Sequence, residues 1–318
     1  MIASRSSRLA RIQAELVGNA LQRLHRHVPV QYRWIESEGE VWGGGTGKGI
    51  FTRAIEKVLL AEEADIGVHS LKDLPATDMP GLQIAAVPKR ADERDCLISA
   101  HGVGSIDALP AGTIVGTSSP RRAAQLLARC DKVRIKPIHG NVDTRVGKVL
   151  NPAGQRHYDA TILAVAGLGR LGLGEHAGPP LDPDQMLPAA GQGAIAIQCR
   201  RDDHLTLTRC LPINHPTAAI AVHAERQVVA GLGADCHCAI GVLASPHGET
   251  DQNLASRVYR LRVRVMSRDG QHCLEIDESE TVRQLRRLVL RVIADLRARG
   301  AKSLLAQGSV DTTAFVAS

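Results

Sequence analysis

Strand-like and helix-like patterns alternate from the start of the chain to about residue 200. Residues 7–24 carry apolar side chains at helical spacing, with Ser7 as the N-cap. Residues 28–35 are typical of a strand, 50–62 of a helix and 65–70 of a short buried strand. Such alternation is the signature of parallel strands covered by helices. The sequence therefore predicts an α/β fold in this part of the chain.

A weak internal repeat divides this α/β part into two similar units. Residues 64–70 resemble residues 158–164, and each segment follows a helix and leads into a polar turn. Residues 187–193 are typical of a backbone crossover, and the apolar run 194–197 predicts a buried strand that returns to the first unit. Because ligands of such folds bind between their units, we expect a cleft there.

From about residue 216 the pattern changes to that of a separate α+β domain. Apolar residues alternate with arginines over 259–265, which predicts a half-exposed strand whose arginines form a solvated face. Asp269 and Gly270 predict a hairpin turn. Apolar residues at helical spacing over 285–296 predict a long helix that stops at Gly300.

The charge balance favours an anionic partner. The 318 residues carry a net charge of +6, which suits either nucleic acid or a small polycarboxylate. Aromatic residues make up only 2%, so stacking platforms for single-stranded nucleic acid are scarce, and no nucleic-acid-binding motif is present. We therefore expect no nucleic-acid partner.

Nothing in the sequence predicts a membrane span or a disulfide framework. No apolar run approaches the roughly 20 residues that cross a bilayer, and the N-terminus lacks a signal-peptide pattern. The seven cysteines are odd in number and mostly scattered, which is typical of free thiols. We expect a cytoplasmic protein.

Cationic side chains gather where strands meet the following helices. At the first junction Ser119 is a good N-cap and Pro120 suits the first helical position. Basic residues of the three junctions are Arg121 and Arg122, then Arg145 and Lys148, and then Arg170, which follows a predicted strand and turn over 162–169. Helix N-termini and forked guanidinium groups bind carboxylates. An ordinary capped helix with surface arginines explains the first junction equally well, but three junctions favour a polycarboxylate.

Two further segments carry chemistry whose role the residues alone leave open. Lys72 and Asp73 follow the strand 65–70, where they either pair at the surface or place a carboxylate in the cleft to stabilise a cation or move a proton. The loop around Cys236 offers a thiol that could serve as a covalent anchor. Adjacent Cys-His-Cys ligands cannot close a zinc tetrahedron, so we expect no metal.

Nine segments occur in a characteristic order along the chain: SRSSRLARIQ, GKGIF, ADIGVHSLKDLP, GTSSPRR, HGNVDTR, DATILAVAGLGRLG, LPAAGQGAIAIQCR, AER and CHCAIG. Together they resemble the hydroxymethylbilane synthase family, also called porphobilinogen deaminase. The resemblance implies two lobes like those of periplasmic binding proteins, with mixed, mainly parallel sheets, and a C-terminal α+β domain. The implied domains are 1–90 with 194–212, then 94–188, and then 216–318.

The same resemblance implies a transferase of tetrapyrrole (porphyrin and haem) biosynthesis. Such an enzyme deaminates four porphobilinogen molecules and joins them on a dipyrromethane cofactor, which a thioether attaches to Cys236. It then releases hydroxymethylbilane and keeps the cofactor. Its partners are porphobilinogen and the growing polypyrrole chain, and the family expectation is a monomer.

Site residues follow from matching positions. Asp73 matches the catalytic aspartate, which would hold pyrrole N–H groups and stabilise the cation formed as ammonia leaves. Cofactor-binding positions are Cys236, Ser7, Lys72, Asp73, Ser119, Arg121, Arg122, His139 and Arg145. Substrate-binding positions are Arg5, Arg145 and Arg170.

Several residues depart from the family pattern. His139 and Glu38 stand where arginine is usual, and the loop before Gly47 is several residues short. Asp235 lies in place of a glycine beside the anchor, and Cys238 occupies a position that is normally apolar. His139, Glu38 and the short loop motivate an alternative hypothesis, a catalytically impaired paralogue that binds anionic pyrroles or other polycarboxylates without turnover.

Overall fold

The computed structural model describes residues 1–36, 50–151, 154–248 and 253–306, without the side chains of residues 50 and 51. Glu38 and the glycine-rich loop up to Gly49 therefore lie outside the described residues. Within these ranges the strands form a five-stranded, a four-stranded and a three-stranded sheet. No helix of the described residues is long and apolar enough to cross a membrane.

The five-stranded sheet combines strands from the start of the chain with one that returns from near residue 200. Its strands are β1 Ile2–Arg5, β2 Tyr32–Ile35, β3 Ile66–Ser70, β4 Leu82–Ala86 and β9 Ile195–Arg200. They lie in the order β2-β1-β3-β9-β4. Strand β1 is parallel to β2 and β3, whereas β9 is antiparallel to β3 and β4. Helices of this lobe are α1 Arg8–Leu24, α2 Ile50–Leu60 and α6 His204–Cys210.

The four-stranded sheet repeats the same arrangement. Its strands are β5 Asp95–Ser99, β6 Ile114–Gly116, β7 Arg134–Lys136 and β8 Ala160–Ala164, in the order β7-β6-β8-β5. Strand β6 is parallel to β7 and β8, and β5 is antiparallel to β8. Its helices are α3 Pro120–Arg129, α4 Val142–Leu150 and α5 Val165–Leu171.

Both sheets thus contain a parallel trio flanked by one antiparallel strand. The repeated segments 64–70 and 158–164 contain β3 and β8, which occupy the same place in the two sheets. Parallel pairings outnumber antiparallel ones in the two sheets together. The predicted α/β architecture with mixed, mainly parallel sheets is confirmed.

The C-terminal part forms an antiparallel sheet covered by helices. Its elements are α7 Pro216–Leu232, β10 Ile240–Pro246, β11 Val258–Met266, β12 Cys273–Thr281, α8 Val282–Ala298 and α9 Ala301–Ala306. One face of β11 carries Tyr259, Leu261 and Val263, which are fully buried against α8 residues such as Leu288. The predicted long helix and the α+β character are confirmed.

The prediction that the arginines of β11 form a solvated face is wrong for two of the three. Arg260 is half-exposed and pairs with Asp277. Arg262 is only 7% exposed and pairs with Asp184, while the guanidinium of Arg264 donates to Gln125 at 2.8 Å. Because Asp184 and Gln125 belong to the part of the chain that builds the four-stranded sheet, this face packs on the second lobe.

Two predicted element boundaries are also wrong. The strand expected over 28–35 begins only at Tyr32, since Val28 instead closes a turn with His25. The turn expected before Arg170 is helix α5, which starts directly after β8. This helix packs on α1, where a Cβ at Gly167 would lie 3.8 Å from the Leu9 side chain.

Two crossover segments, near residues 87–94 and 188–194, run side by side between the lobes. The Arg90 side chain donates to the carbonyl of Gln192 at 2.8 Å, and the amide of Ala91 donates to Gly193 at 3.3 Å. Gly193 has φ +83°, and a Cβ there would lie 2.6 Å from the Ala91 carbonyl oxygen. Only glycine fits this close approach without strain.

Candidate active site

A cleft cavity of about 80 Å³ is lined by both α/β lobes. The cations that line it are Lys72, Arg122, Arg145 and Arg170. No acidic side chain of the described residues lines it. Like charges at this density repel one another in a region of low dielectric, so the cavity has a strong preference for an anionic ligand.

A buried carboxylate behind the cavity holds the arginine pair. Asp95 is fully buried, and its two oxygens accept from Arg121 at 2.8 Å and from Arg122 at 2.7 Å. Its burial favours the neutral acid, but the two guanidinium groups outweigh that effect and hold the pKa of Asp95 well below its usual range. Asp95 is therefore an anion that keeps two arginines in place without occupying the cavity.

The sequence prediction missed Asp95, Gln13 and Gln192. Gln192 donates to Asp95 at 3.0 Å, and Gln13 exchanges hydrogen bonds with Ser70 in the cavity wall. Gln13 carried a usable signal, because it is a polar residue on the buried face of α1. A single aspartate at the start of β5 has no such pattern.

Lys72 lies within the cleft, in contact with solvent but surrounded by protein and by cations. The loss of solvation and the neighbouring Arg122 lower the pKa of Lys72 to about 8, against the opposing attraction of Asp73 and Asp95. An anion bound beside this ammonium would raise its pKa again and so favour the charged form.

Asp73 lies at the rim, in a short helical turn that continues directly from β3. Its carboxylate is exposed, and its field reaches both Lys72 and Arg145. The pKa of Arg145 is lowered, mainly by its burial and to a smaller extent by repulsion from Arg122. Attraction by Asp73 opposes this shift. Asp73 is thus the anion that faces the cationic cleft from the first lobe.

Arg145 and Arg170 are each oriented by a backbone carbonyl. Arg145 donates through Nε to Gly140 at 2.8 Å, and Arg170 donates through Nη2 to Gly193 at 2.8 Å. Burial lowers the pKa of Arg170. Each guanidinium therefore keeps further N–H donors for a ligand.

The remaining predicted site residues lie around the cavity without lining it. Arg5 ends β1, and Ser7 occupies the N-cap position of α1 without a capping hydrogen bond from its side chain. Ser119 caps α3, where its hydroxyl accepts from the Arg122 amide at 3.4 Å. His139 is exposed, and Lys148 donates to its carbonyl at 2.9 Å. Arg121 lies behind the cavity, with its guanidinium bound by Asp95 and by the Leu187 carbonyl at 2.7 Å.

The loop after α7 separates its two thiols. Gly233 ends α7 with φ +67°, and Cys236 is exposed on the loop that follows. Cys238 instead packs against the C-terminal core and donates its thiol to Asp235 at 3.5 Å. The Asp235 carboxylate also accepts from the His237 amide at 2.9 Å. Cys236 is thus the thiol of this loop that is open to reaction.

Replacing Asp95 tests whether the arginine pair depends on it. We expect Asp95→Asn to lower the free energy of unfolding by about 3–5 kcal/mol at pH 7, because two buried guanidinium groups lose their counter-ion. The matched control is Asp107→Asn, which removes an exposed partner of Arg129 and should leave the free energy of unfolding close to the wild-type value. Urea unfolding monitored by circular dichroism measures both.

The same pair of variants has a defined pH dependence. Because the pKa of Asp95 is depressed in the folded state, its contribution is fully present above the unfolded value of about 4 and is lost as the pH falls further. The stability difference between the wild type and Asp95→Asn should therefore shrink below about pH 4. A difference that stays constant down to pH 3 would contradict the assignment.

A second prediction concerns Lys72. Because a carboxylate binds the ammonium better than the neutral amine, the affinity of the ligand-free cavity for a dicarboxylate such as succinate should fall about tenfold between pH 7 and pH 9. Lys72→Arg stays charged, so its affinity should change little over this range. Calorimetric titration measures both, and a flat profile for the wild type would refute the lowered pKa.

Comparisons with known proteins find similar sequences over most of the chain. The family model described as "Porphobilinogen deaminase, dipyromethane cofactor binding domain" matches residues 1–208. The porphobilinogen deaminase of Thermus thermophilus is 36% identical over 307 residues, which cover 96% of this chain and 98% of that protein. That of Chromobacterium violaceum is 42% identical over 250 residues, covering 77% and 79% of the two chains.

Solved structures to which the chain is similar include the second substrate-binding domain of a putative amino acid ABC transporter from Streptococcus pneumoniae. The matched region covers 73% of this chain and 93% of that domain, with 14% identity and a TM-score of 0.42. The family match and the identity to curated relatives, by contrast, extend over most of the sequence. The chain belongs to the porphobilinogen deaminase family.

Proposed function

We propose that this chain deaminates porphobilinogen and joins the resulting pyrroles head to tail into hydroxymethylbilane, as a transferase of tetrapyrrole biosynthesis. The observation that carries the proposal is the cavity in which four cations converge and which no described acid lines. Each pyrrole unit brings an acetate and a propionate, so both substrate and product are polycarboxylates. Guanidinium groups match these anions with two parallel hydrogen bonds each.

The residues present fit the dipyrromethane cofactor of the family. The donor set of the cavity is cationic, as two linked pyrroles with four carboxylates require. The Cys236 thiol is exposed on its loop, as a thioether anchor requires. When bound, the cofactor supplies the primer to which pyrroles are added. We assign Cys236 as its anchor and Lys72, Arg122 and Arg145 as its carboxylate contacts.

The residues around the cavity act by placing charged side chains where they can hold the substrate carboxylates and stabilise a cation. Arg145 and Arg170, fixed by backbone carbonyls, would orient the incoming substrate through its carboxylates. Asp73 faces the cations from the first lobe. Its carboxylate can therefore accept hydrogen bonds from pyrrole N–H groups and stabilise the cation that forms as ammonia leaves.

Further residues complete the proposed site at its edges. Ser7 and Ser119 lie at the starts of α1 and α3, where a helix N-terminus favours an anion. Arg5 would contact substrate, and Arg121 would support Arg122. His139, which is exposed, would contact one carboxylate.

We also propose the predicted domain organisation and context. Domains of 1–90 with 194–212, of 94–188 and of 216–318 would each contain one of the three sheets. The proposed enzyme acts as a monomer in the cytoplasm, and its partners are porphobilinogen and the growing polypyrrole chain, without nucleic acid or membrane.

Replacing Asp73 tests the proposed function. We expect Asp73→Ala to lower the rate of hydroxymethylbilane formation from porphobilinogen by about 100-fold to 1,000-fold, because the developing cation loses its counter-charge. Asp107→Ala, which removes an exposed carboxylate that does not line the cavity, should retain near-normal turnover. Product is measured as uroporphyrin absorbance after acid oxidation.

Two outcomes would contradict the proposal. Near-normal turnover by Asp73→Ala would refute the role of that carboxylate. No product from the wild-type chain, despite binding of porphobilinogen, would refute catalysis and favour a paralogue that binds anionic pyrroles without turnover.

A further inference from the structure

The arginine-bearing face of β11 joins the domain that carries Cys236 to the helix that carries Arg122. Arg264 is only 11% exposed, and it uses its guanidinium on three partners. It donates to the Gln125 side-chain oxygen at 2.8 Å, to Glu275 at 2.7 Å and to the Asp184 carbonyl at 3.2 Å. Because Glu275 lies on the neighbouring strand β12, it orients the guanidinium toward the second lobe.

Gln125 connects Arg264 to the arginine pair through the backbone of Leu187. It is buried on α3, and its side-chain oxygen also accepts from the Leu187 amide at 2.8 Å. Its side-chain nitrogen donates to the Leu187 carbonyl at 3.0 Å, the same carbonyl that Arg121 binds at 2.7 Å. Since Arg264 can only donate, it fixes which end of the Gln125 amide faces it.

The same strand also contacts the loop that carries the proposed anchor. The Met266 amide donates to the Ala239 carbonyl at 2.9 Å, and Ala124 on α3 packs with both residues. The turn after β11 rests on the same helix, since a Cβ at Gly270 would lie 2.5 Å from the Ala124 carbonyl oxygen. Strand β11 thus contacts both the loop of Cys236 and helix α3.

We propose that Arg264 is a positioning residue, which acts through Gln125 to set the place of α3 and its Arg122 side chain relative to the loop of Cys236. This inference rests on the proposed function and adds a residue outside the cavity to it. The carboxylate contacts and the covalent anchor come from different domains, so their relative position decides whether a bound pyrrole meets its reaction partner. Small errors of this kind reduce turnover more than binding.

The test compares Arg264→Leu with Arg260→Leu. Arg260 lies on the same strand and pairs with Asp277. The charges of Asp182 and Asp184 reach it, but among the described side chains it forms no hydrogen bond with the second lobe. We expect Arg264→Leu to lower kcat about tenfold with less than about a twofold change in KM, because a hydrogen bond from a charged donor is lost away from the cavity. Arg260→Leu should retain wild-type values.

Three further measurements separate positioning from a purely structural effect. In protein without cofactor, hydrogen exchange of α3 should increase in Arg264→Leu and not in Arg260→Leu. Arg264→Lys, which can still donate to Gln125, should recover part of kcat. Gln125→Leu should lower kcat to a similar extent, and the double variant should be no worse than either single one, because both act through one contact.

The outcomes distinguish this inference from the proposed function. A wild-type enzyme that forms product while Arg264→Leu matches Arg260→Leu in kcat and in exchange would overturn the positioning role alone. Equal losses in Arg264→Leu and Arg260→Leu, or additive effects in the double variant of Arg264 and Gln125, would also overturn it. A wild-type chain that makes no product would instead refute the proposed function, and the exchange data would still test the contact between Arg264 and α3.

Discussion

The buried Asp95 carboxylate is the interaction on which the cationic cleft depends. Two adjacent guanidinium groups at the start of α3 would repel each other and lose solvation if they were buried alone. Asp95 offsets both costs with one oxygen for each arginine. Because it approaches from behind, Arg122 still lines the cavity. The cleft therefore combines a stable fold with an unbalanced positive surface for a polycarboxylate.

The crossovers and the third domain connect this site to the rest of the molecule. Gln192 donates to Asp95 at 3.0 Å, and the neighbouring Gly191 amide donates to the buried carboxylate of Glu225 at 2.6 Å. Glu225 belongs to α7 and pairs with Arg90 at 2.7 Å, although its own burial raises its pKa. The segments that link the lobes are thus tied to the domain that carries Cys236.

Short sequence patterns predicted the features that neighbouring residues determine, such as helix starts and the buried face of a strand. Ser119 and Pro120 fixed the start of α3, and the alternation in β11 identified its buried face. The same alternation could not show what covers the other face, so the packing of Arg262 against Asp184 was missed. Asp95 was missed because its arginine partners lie more than twenty residues away, and one acid before an apolar run has no periodicity.

The intact mass of the denatured protein tests most directly the claim that the cleft serves a primer anchored at Cys236. We expect a mass excess of two linked pyrrole units in the wild type and in Cys238→Ser, whose position faces the core. Cys236→Ser should lack this excess. An unmodified wild-type mass after incubation with porphobilinogen, or an excess that persists in Cys236→Ser, would contradict it.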